Sequence, residues 1–231
     1  MNFTDKIKSF FGFKNNEVED NNLPSDIEIK NEVEDIKSML YNNLPNWDDI
    51  KKEECLYSKT SKKKLLIIDD YESITKIIKK DVDTILSKDF KKQLKPETIK
   101  LVERVNLEVS DVEICIISSE LAPYIVYKTC DEGKECYFDY AIIDILYGDF
   151  IIKDGKKIYL DGIDIVSILK KHNPNVKTVL FTGCYLDNFY NKERKKIKEM
   201  IGEDYLNNNI IIKTESMDNR IEFFINKLFK G

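Results

Sequence analysis

YAIIDIL, Tyr140 to Leu146, decides how this chain is read. Apolar and aromatic residues lead to a single acid, Asp144, after which the chain turns polar and glycine-bearing. A short, nearly continuous apolar run predicts a strand buried on both faces, as in a parallel sheet. A carboxylate at the carboxyl end of such a strand lies where open α/β sheets bind their ligands. An ionised acid buried there needs partners or a metal. Asp144 is therefore either a site residue or an acid that escapes to solvent at a strand end.

Working outward, four further apolar runs have the length of strands: Leu65 to Ile68, Val112 to Ser118, Val176 to Thr182 and Ile210 to Lys213. Helical periodicity separates them. Ile74, Ile77, Ile78, Val82 and Ile85 recur at helical spacing, and Pro96 opens a second helix with Ile99, Leu101, Val102 and Val105. Ala122 to Cys130, Gly162 to Lys171 and Asn188 to Met200 are further helices. In the last helix Ser216 is the cap, and Ile221, Phe224, Ile225 and Leu228 form the inner face. Asp154-Gly155 between two short β-like runs predicts a hairpin. Strands alternating with helices give a doubly wound α/β domain with a five-stranded parallel sheet.

Composition sets bounds on function. With 34% charged and 42% hydrophobic residues over 231 positions, the chain has the balance of a globular protein. It has no apolar run long enough to span a bilayer and opens with no signal-peptide pattern, so a cytoplasmic protein is expected. Its net charge of -5 and pI near 5.2 speak against nucleic acid as a partner. The cysteines Cys55, Cys115, Cys130, Cys136 and Cys184 form no CxxC pair, and their odd number predicts reduced thiols. Cys130 and Cys136 with His172 match no common zinc spacing.

Residues 1–62 differ from the remainder, being rich in Asn, Glu, Asp and Lys, and carrying NEVED twice. The repeat is either a compositional accident or a duplicated docking segment. Phe3, Ile7, Phe10 and Phe11 share one helical face within residues 3–13, which could meet a membrane surface, a partner or the chain's own domain. The expected division is an N-terminal extension, 1–62, and a domain, 63–231. The domain ends just after the last helix, so the extension is expected to carry output or location.

The strand ends collect the polar residues. Asp69 and Asp70 end the first strand, Asp144 the third, Thr182 and Gly183 the fourth, and Lys213 the fifth. Parallel strands bring these to one edge. Three carboxylates there repel one another unless a cation sits among them, and an all-oxygen acidic set suits Mg²⁺. A hydroxyl and an ammonium opposite can hold phosphoryl oxygens, so the assembly fits phosphoryl transfer with Asp144 as nucleophile.

LLIIDD, YAIIDIL, DGIDIVSILKK, VLFTG and IIIK, in this order, resemble the receiver domain of two-component response regulators over residues 63 to 231. The resemblance implies the strand order 2-1-3-4-5. It makes Asp144 the phosphoacceptor and places Mg²⁺ on Asp70, Asp144 and the main-chain carbonyl of Leu146, with Asp69 assisting through water. Thr182, Lys213 and the Gly183 amide would contact the phosphoryl group. It also implies a histidine kinase or phosphotransfer protein as donor, and an unidentified downstream protein as partner.

The chain departs from that pattern in several places. Thr214 follows Lys213 where the family has a cis-bonded proline, and a cis bond before a non-proline residue costs about 3 kcal/mol. Ile210 holds the aromatic switch position, while Tyr205 lies upstream of it. An insertion near 86–108 and the hairpin near 149–161 are extra; the hairpin is close enough in sequence to cover the pocket, or it turns away and merely extends a loop. The leading expectation is a phosphorylation-controlled signalling protein, not an enzyme. The alternative is a receiver-like scaffold that binds partners without phosphorylation. A Mg²⁺-dependent hydrolase would want an acid two residues after the nucleophile, where Leu146 stands.

Overall fold

The computed structural model describes residues 44–89, 93–131, 136–145, 150–183 and 191–230. The apolar face within residues 3–13, both NEVED copies, Leu146 and Cys184 lie outside these. Five strands form one all-parallel sheet: β1 (Lys63–Ile68), β2 (Val112–Ile117), β3 (Tyr140–Ile143), β6 (Lys177–Thr182) and β7 (Ile210–Ile212). The sheet order is β2-β1-β3-β6-β7, the doubly wound order of flavodoxin and CheY. Register runs Ile68 beside Ile117 and Ile143, Ile143 beside Leu180, and Thr182 beside Ile212. The expected fold class is therefore the one observed.

Alternation along the strands divides the core in two. Leu65, Ile67, Ile142, Val179 and Phe181 face helices α2 (Glu72–Ser87), α3 (Pro96–Glu103) and α8 (Met217–Phe224). Leu66, Ile68, Ala141, Ile143 and Leu180 face α4 (Ala122–Val126) and α5 (Gly162–His172). Both faces are covered, which is why β1 and β3 read as unbroken apolar runs rather than alternating ones. On α2, Ile78, Val82 and Ile85 are fully buried but Ile77 is 42% exposed, so Ile77 does not belong to the inner stripe. Ser216 caps α8 by accepting from the Asn219 amide.

Two sequence expectations need correction. The compact unit begins at Pro45, not at residue 63, because Trp47, Ile50 and Leu56 are buried in the core. Composition concealed these few anchors among charged neighbours; Leu56 lies in the short helix α1 (Glu54–Tyr57). The cysteines are also not all free: Cys55 is bonded to Cys115, and Cys130 to Cys136. The latter pairing removes two of the three ligands considered for zinc.

The Asp-Gly hairpin forms as expected from β4 (Ile151–Lys153) and β5 (Lys156–Ile158), which are antiparallel. Asp154 and Gly155 both have positive φ, 51° and 70°, the requirement of the turn that matches strand twist. Its placement differs from a cover over the acids. Lys153 lies over the Trp47 ring at 4.4 Å, Asn46 bridges Ile152, and the Tyr124 hydroxyl donates to the Ile158 carbonyl. The hairpin is docked against the Trp47 segment and α4.

Candidate functional site at the carboxyl edge of the sheet

Each acid takes its position from the strand before it. The Asp144 amide donates to the Ile68 carbonyl at 2.8 Å, and the Asp69 amide to Ile117 at 3.3 Å, so both continue the ladder by one residue. The Lys213 amide donates to the Thr182 carbonyl at 2.7 Å, which carries β7 one residue past its last pairing with β6. Asp69, Asp70, Asp144, Thr182 and Lys213 thus all sit at one edge, as the strand-end pattern requires.

Side chains converge there. One carboxylate oxygen from each of Asp69, Asp70 and Asp144 lies within 4.8 Å of the others. Lys213 Nζ is 2.6 Å from Asp69 Oδ2 and 3.0 Å from Asp144 Oδ2. Asp69 is fully buried and Asp144 nearly so. Asp69 Oδ1 accepts from the Tyr71 amide at 3.0 Å. Asp69 Oδ2 is fully buried and lies against the Lys213 ammonium. Thr182 is buried at the end of β6.

The electrostatics reflect this crowding. Burial pushes Asp144 up to about 6; Lys213 opposes the shift, and the neighbouring acids Asp69 and Asp70 reinforce it. Burial also raises Asp69, against the pull of Lys213. For Lys213 burial acts downward, but its two carboxylate partners outweigh it and hold the ammonium above its usual range. Among the described residues Lys213 pairs with Asp69 and Asp144 but not with Asp70, so the three clustered carboxylates outnumber the ammonium that meets them. An all-oxygen donor set of clustered carboxylates fits a hard divalent cation such as Mg²⁺.

A glycine closes the back of the site. A Cβ on Gly162, the first residue of α5, would meet the Asp144 carbonyl oxygen at 2.0 Å. Only glycine lets the helix start approach that strand end. Asp161 caps α5 by accepting from the Ile163 and Asp164 amides. Lys196, on α6 (Asn191–Met200), bridges Asp161 and Asp164 at 2.8 and 2.6 Å. The role of Gly162 and the Lys196 bridge were not anticipated, although Asp161 and Asp164 have the spacing of a capping box.

Other expected features fall elsewhere. No peptide among the described residues is cis, so Lys213-Thr214 is trans. Ile210 is half-buried at the start of β7. Tyr205, on α7 (Glu203–Asn208), is buried with its oxygen accepting from Thr178 at 3.0 Å, and burial raises its phenol. Gly183 has open space where a Cβ would sit.

No family model and no curated protein matches the chain. Solved structures do. A CheY-like receiver domain protein from Methanospirillum hungatei is 18% identical, with 73% of this chain and 94% of that one aligned and a TM-score of 0.38. A receiver domain protein from Clostridium thermocellum is 20% identical over 72% and 94%, at 0.37. The receiver domain of an HD domain-containing protein from Pseudomonas fluorescens is 11% identical over 72% and 94%, at 0.40. These neighbours are response-regulator receiver domains. The fold of this chain rests on its own strand order, which is the order a receiver domain uses.

Proposed function

We propose that this protein is a phosphorylation-controlled signalling protein that accepts a phosphoryl group on Asp144. The observation carrying this reading is the cluster of Asp69, Asp70 and Asp144, two of them paired with Lys213. Asp69, Asp70, Asp144 and the Leu146 carbonyl would hold Mg²⁺, which neutralises charge on the transferring group. An Asp144 oxygen attacks the donor phosphorus, the bond from phosphorus to the donor breaks, and the donor leaves with its electron pair. Lys213 then exchanges a carboxylate for a phosphoryl oxygen, while the Thr182 hydroxyl and the Gly183 amide take the others. The donor would be a histidine kinase or phosphotransfer protein, and the response a change in affinity for a partner; of residues 1–62, assigned to partner contact from the sequence, only the part before Pro45 lies outside the compact unit and is proposed for that contact. We place the protein in the cytoplasm, where such donors act; the two disulfides weigh against a reducing compartment, and thiol counting on protein taken from cells decides that point.

Incubation with Mg²⁺ and acetyl phosphate, followed by intact-mass measurement, tests the acceptor. One phosphate on wild type and none on Asp144→Asn is expected; a phosphate retained by the variant removes Asp144 from the role. A second reading, a scaffold that binds partners without phosphorylation, draws support from the internal pairing of Lys213 with Asp69 and Asp144. Equal Mg²⁺ affinity in wild type and Asp70→Asn, with no phosphate uptake, would favour it.

A further inference from the structure

The helix inserted between β1 and β2 has no part in the phosphoryl chemistry, yet it builds something. Where α3 ends, the chain through Leu107 faces the turn of helix that follows α8, Ile225–Phe229. Between them, at the sheet's amino-terminal edge and opposite Asp144, lies a cavity of about 600 Å³, within the range of small-molecule sites. Its apolar wall is Val105, Tyr140, Ile225 and Phe229, with the Tyr140 and Phe229 rings 5.1 Å apart.

The rim has the opposite character. Arg104, Lys177 and Lys230 line it, and none of the lining residues is acidic, although the chain as a whole is acidic. Lys177 Nζ donates to the Lys230 carbonyl at 2.6 Å. The side chains of Arg104 and Lys230 have no partner among the described residues, while the Tyr140 phenol feels Asp139 and Lys63. A lining with three cations and no acid, beside an aromatic wall, selects an anion that carries an apolar body.

We propose that this cavity binds a small amphipathic carboxylate. The hydrocarbon or aromatic part lies against Val105, Tyr140 and Phe229, and the carboxylate is held between Arg104 and Lys230. A guanidinium donates two parallel hydrogen bonds to a carboxylate, which gives the rim its preference over an uncharged head group. The site is independent of Asp144, so its occupancy and phosphoryl acceptance are separately measurable.

Isothermal titration of the full chain with 2-naphthoate and with 2-naphthylmethanol tests the proposal. Wild type should bind the acid roughly tenfold more tightly than the alcohol, the scale of one charge-assisted hydrogen bond. An Arg104→Gln/Lys230→Gln double variant should bring the acid to within about twofold of the alcohol, with the alcohol unchanged. Asn226→Trp, an exposed position on the lining, should abolish binding of both while circular dichroism stays native. Failure of wild type to bind the acid, equal binding of the two probes, or an acid preference that survives the double variant would overturn the proposal. So would undiminished binding by Asn226→Trp.

Discussion

The two edges of this sheet carry similar numbers of charges and treat them differently. At the amino edge each charge on a strand start is closed by a partner. Lys63 pairs with Asp139 at 2.8 Å, whose other oxygen accepts from the Lys64 amide. The buried Lys64 ammonium donates to the Cys55 and Ser58 carbonyls at 2.8 and 2.9 Å and lies over the Phe138 ring. At the carboxyl edge three acids cluster, and among the described residues Lys213 meets only two of them. Matched charges hold a fold together; unmatched buried charges cost stability and are kept where chemistry uses them. The difference is what marks the carboxyl edge as the place for the proposed phosphoryl chemistry.

The largest expected effect breaks the amino edge. Removing residues 1–62 takes away the buried Trp47, Ile50 and Leu56, a loss of about 5 kcal/mol or more at ordinary side-chain burial energies. That approaches the whole stability of a domain. The truncated protein should lose its cooperative denaturant transition, while removal of residues 1–44 preserves it. A native transition after the longer deletion would return the boundary to residue 63.

Next in size is the closure of the carboxyl edge. Gly162→Ala drives a methyl group into the Asp144 carbonyl and should cost about 3 kcal/mol. Gly183→Ala meets nothing within 4 Å and should change stability by less than about 0.5 kcal/mol. Chemical melts of both variants give the contrast. Similar losses would mean that the helix start can retreat from the strand. Lys64→Met should then cost about 2 kcal/mol, because it leaves buried carbonyls without a donor while keeping the apolar stem. A neutral result in the same melts would remove Lys64 from the scaffold.

The carboxyl edge was legible in the sequence because strand ends are local. LLIIDD, YAIIDIL, VLFTG and IIIK each end an apolar run in a polar residue, and parallel order alone brings those ends together. The amino edge was not legible. Trp47 and Leu56 are isolated apolar residues among charges, with no period to mark them, and their burial depends on contacts with Tyr127 and α4 far along the chain. The cysteine pairings are likewise long-range or lie across a loop. Gly162 gave no sign of its role, because what it touches is the main chain of another segment. The hairpin turn was evident from Asp154-Gly155, whereas its docking partner was not. Turn type follows from two residues, but docking follows from the whole surface.

The smallest expected effect tests whether the carboxyl edge is truly undercompensated. Asp144 in the folded protein is raised to about 6 from 3.8, first by burial and then by Asp69 and Asp70. A raised carboxyl favours the folded state while protonated. Its contribution is fully present below the unfolded value and is lost as pH rises through the folded one. Wild type should therefore forfeit stability between about pH 4 and pH 7 through this residue alone. The shift corresponds to at most about 3 kcal/mol. Asp144→Asn removes that loss but leaves Lys213 with Asp69 alone, so a net gain of about 1 to 2 kcal/mol is expected at pH 7.5 in metal-free buffer. The gain should shrink to nothing near pH 4, where wild type carries the proton. Mg²⁺ should stabilise wild type and have little effect on the variant, because the cation supplies the charge that substitution removes. Thermal melts of both proteins across pH, with and without Mg²⁺, give all four comparisons. A variant less stable than wild type at pH 7.5 without metal would show that Lys213 already balances the cluster, and the contrast between the two edges would fail.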